Sequence, residues 1–379
     1  MIFDEFSPSR TRRTLNLGGR TLRALGLDGP LTGVLAIIVC IGILVVYSAS
    51  GQNWRMVEHH LVNIGIAITA MLALAKLATP QYLRLFAPGA YVIGVLLLIV
   101  VDVTGHIGKG AQRWLDLGVI RFQPSELMKV GVPMMCAWYL HERPLPPTLR
   151  DVTVLLAIIA VPAVLIAKQP DLGTALLVAS SGLLVVFLAG LNIAVILAGA
   201  AAIGAGVPVA WHFMHDYQRQ RLLMFLDPSQ DPLGAGYHSI QSQIAIGSGG
   251  MFGKGWMNGS QAQLEFLPER STDFIFAVIG EELGLLGQIF LIALYLTVVG
   301  RALYMASEAQ DTYARLVCGS FALTFFVYVF VNTGMVSGIL PVVGVPLPFM
   351  SYGGTALITL GVATGLIMSV SRQKRLMQS

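Results

Sequence analysis

Few residues in this chain are suited to chemistry, and they gather at two places. Asp273 ends the polar run Phe266-Leu-Pro-Glu-Arg-Ser-Thr-Asp273, and an apolar stretch begins directly after it. A carboxylate at such a boundary is held where water meets hydrocarbon, and it suits a base that takes a proton from a hydroxyl. The same acid would also serve as the cap or first-turn acid of the next helix, a role that stabilises by about 0.5–1 kcal/mol. Glu126 and Lys129 form the second place. Three residues apart, they project from one face of a helix about a turn from each other. Charges within apolar segments are costly and face a bundle interior or a watery cavity, where they mark a site or fix helix packing as an ion pair.

Cations surround these acids in sequence: Arg113, Arg121, Arg219, Arg221, Lys254 and Arg270. Singly, each reads as a solvated or headgroup-bound charge; together they would suit a diphosphate. Asp273, Ala277, Glu281 and Gly284 fall on one stripe of a helix, and Glu281 and Glu282 lie about two turns into it, facing protein or water. The seven histidines show no metal-binding spacing, and Cys40, Cys136 and Cys318 are far apart without a CxxC pair, so neither a protein-ligated metal nor a disulfide framework is supported. The glycines of 247–259 lack the Ser or Thr and the leading Gly of a phosphate-binding P-loop.

The elements that position these residues follow from composition. Of 379 residues, 55% are hydrophobic and 12% charged, against about 25% charged in a soluble domain. Apolar runs near 31–48, 60–78, 86–103, 125–140, 152–167, 173–190, 192–211, 274–299, 316–334 and 352–370 predict an all-α polytopic membrane protein of about ten spans. The domain reading is a tail over 1–30, a membrane domain over 31–371 with a large loop over 212–273 between the seventh and eighth spans, and a tail over 372–379. Arg10, Arg12, Arg13, Arg20 and Arg23 precede the first span, and the segments on that side add Lys76, Arg84, Arg143, Arg150, Arg301, Arg315, Arg372, Lys374 and Arg375. The short segments of the other side carry only Arg55, Lys109, Arg113, Arg121 and Lys168. That bias predicts both termini in the cytoplasm and the large loop outside. Tyr237 to Gly247 reads as an amphipathic helix with Ile240 and Ile244 on one face, able to lie flat at the interface. Gly338-Ile-Leu-Pro-Val-Val-Gly-Val-Pro-Leu-Pro348 is too apolar for a solvated loop and too rich in proline for a helix, which predicts a re-entrant segment buried in protein. The net charge of +4 favours anionic lipid headgroups over nucleic acid as neighbour.

Four strings carry a family resemblance. Gly110-Ala-Gln-Arg-Trp-Leu-Asp-Leu-Gly118, Phe122-Gln-Pro-Ser-Glu126, Phe266 through Gly284, and Pro346-Leu-Pro-Phe-Met-Ser-Tyr-Gly-Gly354 resemble the SEDS family (shape, elongation, division, sporulation). Asp216-Tyr-Gln-Arg-Gln-Arg221 and Gly338 to Gly344 resemble its elongation branch more than its division branch. The resemblance implies a peptidoglycan glycosyltransferase that polymerises lipid II on the outer face of the cytoplasmic membrane during elongation. It also implies a class B penicillin-binding protein, which crosslinks the product, as partner, with other elongation-complex membrane proteins nearby. In that family the acid matching Asp273 is essential, and residues matching Glu126 and Lys129 are implicated.

The residue chemistry fits that expectation. Asp273 would act as base on the 4-hydroxyl of the acceptor sugar in an inverting displacement. The diphosphate is a good leaving group, so positive charge from Lys129, Arg113, Arg219 and Arg221 or from a divalent cation can stand in for a general acid, with Glu126 orienting Lys129. No resident cofactor is implied. A transporter of lipid-linked precursors is the alternative suggested by the same buried pair, though no paired halves with interrupted helices accompany it; a scaffold that only recruits wall enzymes would leave the acids without a role.

Overall fold

The computed structural model describes residues 26–104, 106–108, 111–116, 121–213, 219, 237–264, 266–267 and 269–377. Twelve helices lie among them: α1 (Gly29–Ala49), α2 (Trp54–Leu77), α3 (Pro80–Thr104), α4 (Pro124–Leu140), α5 (Leu149–Lys168), α6 (Leu172–Leu188), α7 (Ile193–Phe213), α8 (Tyr237–Gly249), α9 (Ser260–Gln263), α10 (Ile275–Ser307), α11 (Thr312–Val336) and α12 (Gly354–Met377). All but α8 and α9 coincide with expected spans. Six of them, α1, α2, α3, α5, α10 and α11, are long and apolar enough to cross a membrane by length and composition. Residues 1–25 of the expected N-terminal tail and Arg221 lie outside the described residues, while Gly29 and Pro30 already belong to α1.

Local sequence explains where these helices start. Asp28 caps α1 by accepting from Leu31 N at 3.2 Å, with Pro30 in the first turn. Thr148 and Asp151 close a reciprocal capping box on α5, and Asp171 caps α6 by accepting from Thr174 N at 3.1 Å. Each cap satisfies an amide that the helix itself leaves unpaired. Small residues then let backbones approach: Gly361 and Gly365 of α12 lie against the Ala67 and Met71 carbonyls of α2, where a Cβ would not fit. α11 is the central helix, with 72% of its apolar window buried, whereas α3 buries 22% and borders the bundle.

Three features depart from the sequence reading. The connection between α3 and α4 carries a small antiparallel sheet, β1 (His106–Gly108), β2 (Ala111–Asp116) and β3 (Arg121–Phe122), in the order β1-β2-β3; the all-α expectation holds for the membrane part only. Its backbone leaves the bundle, so amides that helices would satisfy internally pair between strands instead. α12 runs through Met377 rather than ending near 371, because Arg372 to Met377 contains no helix breaker. α10 is broken at Gly284 (φ 68°, ψ −169°), so the stripe expected from Asp273 to Gly284 does not continue as one helical face.

Candidate active site

Asp273 sits on a turn, one residue before the position that caps α10. The cap position falls on Phe274, which makes no side-chain cap bond. Its turn is clamped from two sides. Asn332 of α11, fully buried, donates from Nδ2 to the Asp273 carbonyl at 2.8 Å and to the Val345 carbonyl at 2.7 Å. Ser351 donates from Oγ to the Thr272 carbonyl at 2.6 Å while accepting from Leu347 N at 2.8 Å, and Tyr352 N donates to the Ser271 carbonyl at 2.8 Å. The turn is therefore fixed at three successive carbonyls. Such fixation holds a side chain in place without using the side chain itself.

The segment that supplies Ser351 and Tyr352 is the proline-rich stretch after α11. Residues 337–353 form no helix, and Val345 and Leu347 to Ser351 are buried. Tyr295, well down α10, donates its hydroxyl to the Pro348 carbonyl at 2.8 Å. The buried half of this segment thus finds protein partners for its backbone, while Ile339 stays exposed. Gly344 on this segment has φ +72°, and a Cβ there would stand 3.4 Å from Asp273 Oδ2. Glycine at this position both permits the turn and keeps the space beside the carboxylate open.

Glu126 and Lys129 lie near the start of α4, both 6% exposed, with Nζ 2.7 Å from Glu126 Oε1. Lys129 also stands over the Tyr328 ring, 5.4 Å from its centroid. Tyr328 and Asn332 are one turn apart on α11, which sets the ion pair about 6 Å deeper along that helix than the Asn332 clamp on Asp273. Beside Lys129 is a cavity of about 30 Å³ lined mainly by apolar side chains such as Val298, Phe321, Phe325 and Leu360, with Thr324 and Tyr328 among them. Glu126 Oε2 and Thr324 Oγ1 are buried with no hydrogen bond among the described residues.

Arg113, on β2, is held at the N-terminus of α6. Its Nη2 donates to the Pro170 carbonyl at 2.6 Å and its Nη1 lies 3.4 Å from Asp171 Oδ2, which Gln123 also approaches at 3.4 Å. The same helix end reaches the re-entrant segment, where Gly173 packs directly on the Val343 carbonyl. Arg113, Asp171, Val343, Gly344 and Asp273 thus lie along a continuous series of neighbouring segments. Arg219 donates to the Trp211 and His212 carbonyls at 3.0 and 2.8 Å, capping α7.

Glu281 and Glu282 hold structure rather than face the mouth. Glu281, fully buried, receives Lys254 Nζ at 2.7 Å, Gln261 N at 3.0 Å and Ser260 Oγ at 3.1 Å, and so ties the glycine-rich loop to α10. Glu282 accepts from Ser48 of α1. α8 packs its small face, Ser242, Ala245 and Gly249, inward and leaves Ile244 exposed. At its start, His238 stacks on Phe274, with ring centroids 5.8 Å apart. Burial lowers the His238 pKa below the ordinary histidine range, opposed in part by Glu269.

Sequence reasoning did not single out Asp171, Tyr328, Asn332, Gly344 or His238. Each is common in type, and only its neighbours give it meaning; Gly344, Ser351 and Tyr352 lay within strings that carried the resemblance, without a role assigned to them.

This architecture defines a multi-pass helical membrane protein with an acid on a backbone-clamped turn ahead of α10. The chain belongs to the family of FtsW, RodA and SpoVE cell cycle proteins, which it matches over residues 30–376; this is the SEDS family. It is 51% identical over 352 residues to the peptidoglycan glycosyltransferase MrdB of Escherichia coli K12, covering 93% of this chain and 95% of that one. It is 33% identical to a probable peptidoglycan glycosyltransferase FtsW of a Geobacter species, covering 93% and 99%. Among solved structures it resembles a chain of a peptidoglycan synthase complex that coordinates polymerization and crosslinking (TM-score 0.80, 32% identity, 91% and 98% covered). It also resembles the rod shape determining protein RodA of Thermus thermophilus (TM-score 0.69, 29% identity, 91% and 97% covered).

Proposed function

We propose that this chain is a peptidoglycan glycosyltransferase that polymerises lipid II into glycan strands during cell elongation, with release of undecaprenyl diphosphate. The observation that carries the reading is the clamped turn of Asp273, three carbonyls of which are held by Asn332, Ser351 and Tyr352, in a chain 51% identical to a named peptidoglycan glycosyltransferase. Asp273 takes the proton of the acceptor 4-hydroxyl as that oxygen attacks the donor's anomeric carbon, and the bond to the diphosphate breaks on the opposite face. Arg113 and Lys129, with Arg219 and Arg221 from the loop, carry the charge that develops on the leaving oxygens. Glu126 fixes Lys129 through its 2.7 Å contact. A divalent cation bound by the diphosphate would add to the same charge.

All ten long helices cross the membrane in this reading, with residues 1–30 and the last residues in the cytoplasm and the loop of 212–273 outside. The arginines ahead of α1 support that orientation. Substrate and nascent strand then meet at the outer mouth, where a class B penicillin-binding protein crosslinks the product alongside other elongation-complex proteins.

The test is polymerisation of labelled lipid II by the purified chain, with Asp273→Ala and Asp273→Asn alongside. Both variants are expected to make no strands while remaining folded. Equal polymer from either would remove Asp273 from the chemistry, and lipid transport into vesicles without polymer would support the transporter instead.

A further inference from the structure

α1 and α10 run antiparallel and are pinned together at two levels. Arg301 donates to both oxygens of Asp28 at 2.9 and 2.7 Å, and Ser48 donates to Glu282. Asp28 to Ser48 and Glu282 to Arg301 each span about 30 Å at 1.5 Å per residue, which is about the thickness of the hydrocarbon core. Charged groups at the two pins therefore mark the two edges of the bilayer interior.

The glycine-rich loop after α8 descends below the upper pin. Leu285 N donates to the Gly250 carbonyl at 2.9 Å and Leu286 N to the Met251 carbonyl at 3.2 Å. Counted from Arg301, those amides stand about 22–24 Å up, or about 6–8 Å inside the upper edge. α1 gives the same level independently, because Trp256 Nε1 donates to the Leu44 carbonyl at 3.2 Å, about 24 Å above Asp28. Two helices thus agree on the depth.

Backbone at that depth survives only if its polar groups are paired. At that depth the Gly250 and Met251 carbonyls are paired with the Leu285 and Leu286 amides that follow the break at Gly284; at the level of the upper pin Lys254 N donates to the Glu281 carbonyl and Gly255 N to the Glu282 carbonyl, both at 3.0 Å, and within the loop Gly253 N donates to the Gly249 carbonyl at 2.8 Å. Gly253 and Gly284 touch backbone to backbone, with no room for a Cβ on either. The side chains turn the other way. Phe252 is 81% exposed and Met251 55%, beside the exposed Leu285, Leu286 and Ile289 of α10. Tyr47, Trp54 and Trp256 contact one another at centroid separations of 6.3 and 6.2 Å just above, as an interfacial aromatic belt does.

We infer that residues 250–256 form a re-entrant wedge in the leaflet on the loop side, with Met251 and Phe252 seated among lipid hydrocarbon chains. Lipid is the occupant because the exposed pair lies within the apolar slab and its surface is continuous with the outward faces of α1 and α10. The wedge fixes one end of α8, whose other end holds His238 on Phe274, next to Asp273. The inference does not depend on the chemistry assigned to Asp273.

The test uses the full chain in lipid nanodiscs, in a Cys40→Ser background because Cys136 and Cys318 are buried. Phe252→Cys and, separately, Met251→Cys receive a nitroxide, with Arg55→Cys as the interfacial control, and relaxation by oxygen is compared with relaxation by a soluble nickel chelate. The expected result is an oxygen-to-nickel ratio several-fold higher at 251 and 252 than at 55. A ratio equal to that at Arg55 would place the loop in water and overturn the inference. So would labels that are mobile alone and become immobilised only when a crosslinking partner is added, since that would assign the surface to a protein.

Discussion

Asn332→Ala isolates the contribution of the clamp, because the side chain contacts the Asp273 backbone and not its carboxylate. Removing Nδ2 takes one hydrogen bond from each of the Asp273 and Val345 carbonyls. Each lost bond is worth about 0.5–1.5 kcal/mol, so about 1–3 kcal/mol is available to loosen the turn. Relaxation recovers part of that by letting the turn shift, and a displacement on the order of 1 Å at a reacting group costs up to about 100-fold in rate. The expected loss in kcat is about 10- to 100-fold, equivalent to about 1.4–2.7 kcal/mol of transition-state stabilisation, with little change in KM. Asn332→Asp should fail similarly, since an ionised carboxylate donates nothing to either carbonyl. Ser320→Ala supplies the comparison: Ser320 is equally buried on α11 and donates to the Ser181 carbonyl at 2.7 Å. It should lower the melting temperature in detergent and leave kcat unchanged. If Asn332→Ala polymerised lipid II at the parent rate while melting like Ser320→Ala, positioning through the backbone would be refuted.

Three further outcomes follow from the same geometry. Gly344→Ala forces a left-handed backbone at a cost of roughly 1–2 kcal/mol and puts a methyl 3.4 Å from Asp273 Oδ2; strand synthesis should fall more than thermal stability does. Lys129→Met leaves Glu126 buried without its cation, a loss of about 3–5 kcal/mol, and adding Glu126→Gln should restore the melting temperature but not polymerisation; recovery of both would make the pair purely structural. His238 is held neutral by burial, so its stabilising contribution is complete above the ordinary histidine pKa of 6.5 and is lost as pH falls through its lowered folded value. Melting curves from pH 7.5 to 5 should show this acid-side loss, and His238→Phe, which keeps the stack on Phe274, should flatten it.

The sequence alone marked the long helices, because hydrophobic runs of span length are a local signal. It also marked Asp273, Glu126 and Lys129, since a charge beside or within an apolar run is conspicuous wherever the chain later goes. The non-helical character of the stretch over 338–348 was legible for a similar reason, since its prolines forbid a helix. What only tertiary structure decided is the pairing between distant segments. Asn332 is an ordinary polar residue in an apolar helix until α11 brings it to the carbonyls of 273 and 345, and Gly344 is one glycine among many until its backbone turns beside Asp273 Oδ2. The stripe through Glu281 and Gly284 misled because helical periodicity assumes an unbroken helix, whereas the loop from 249 to 255 takes over the hydrogen bonds that Gly284 releases. Local sequence sets what a segment can be; the carbonyls and cations a side chain finally meets are set by packing between segments hundreds of residues apart.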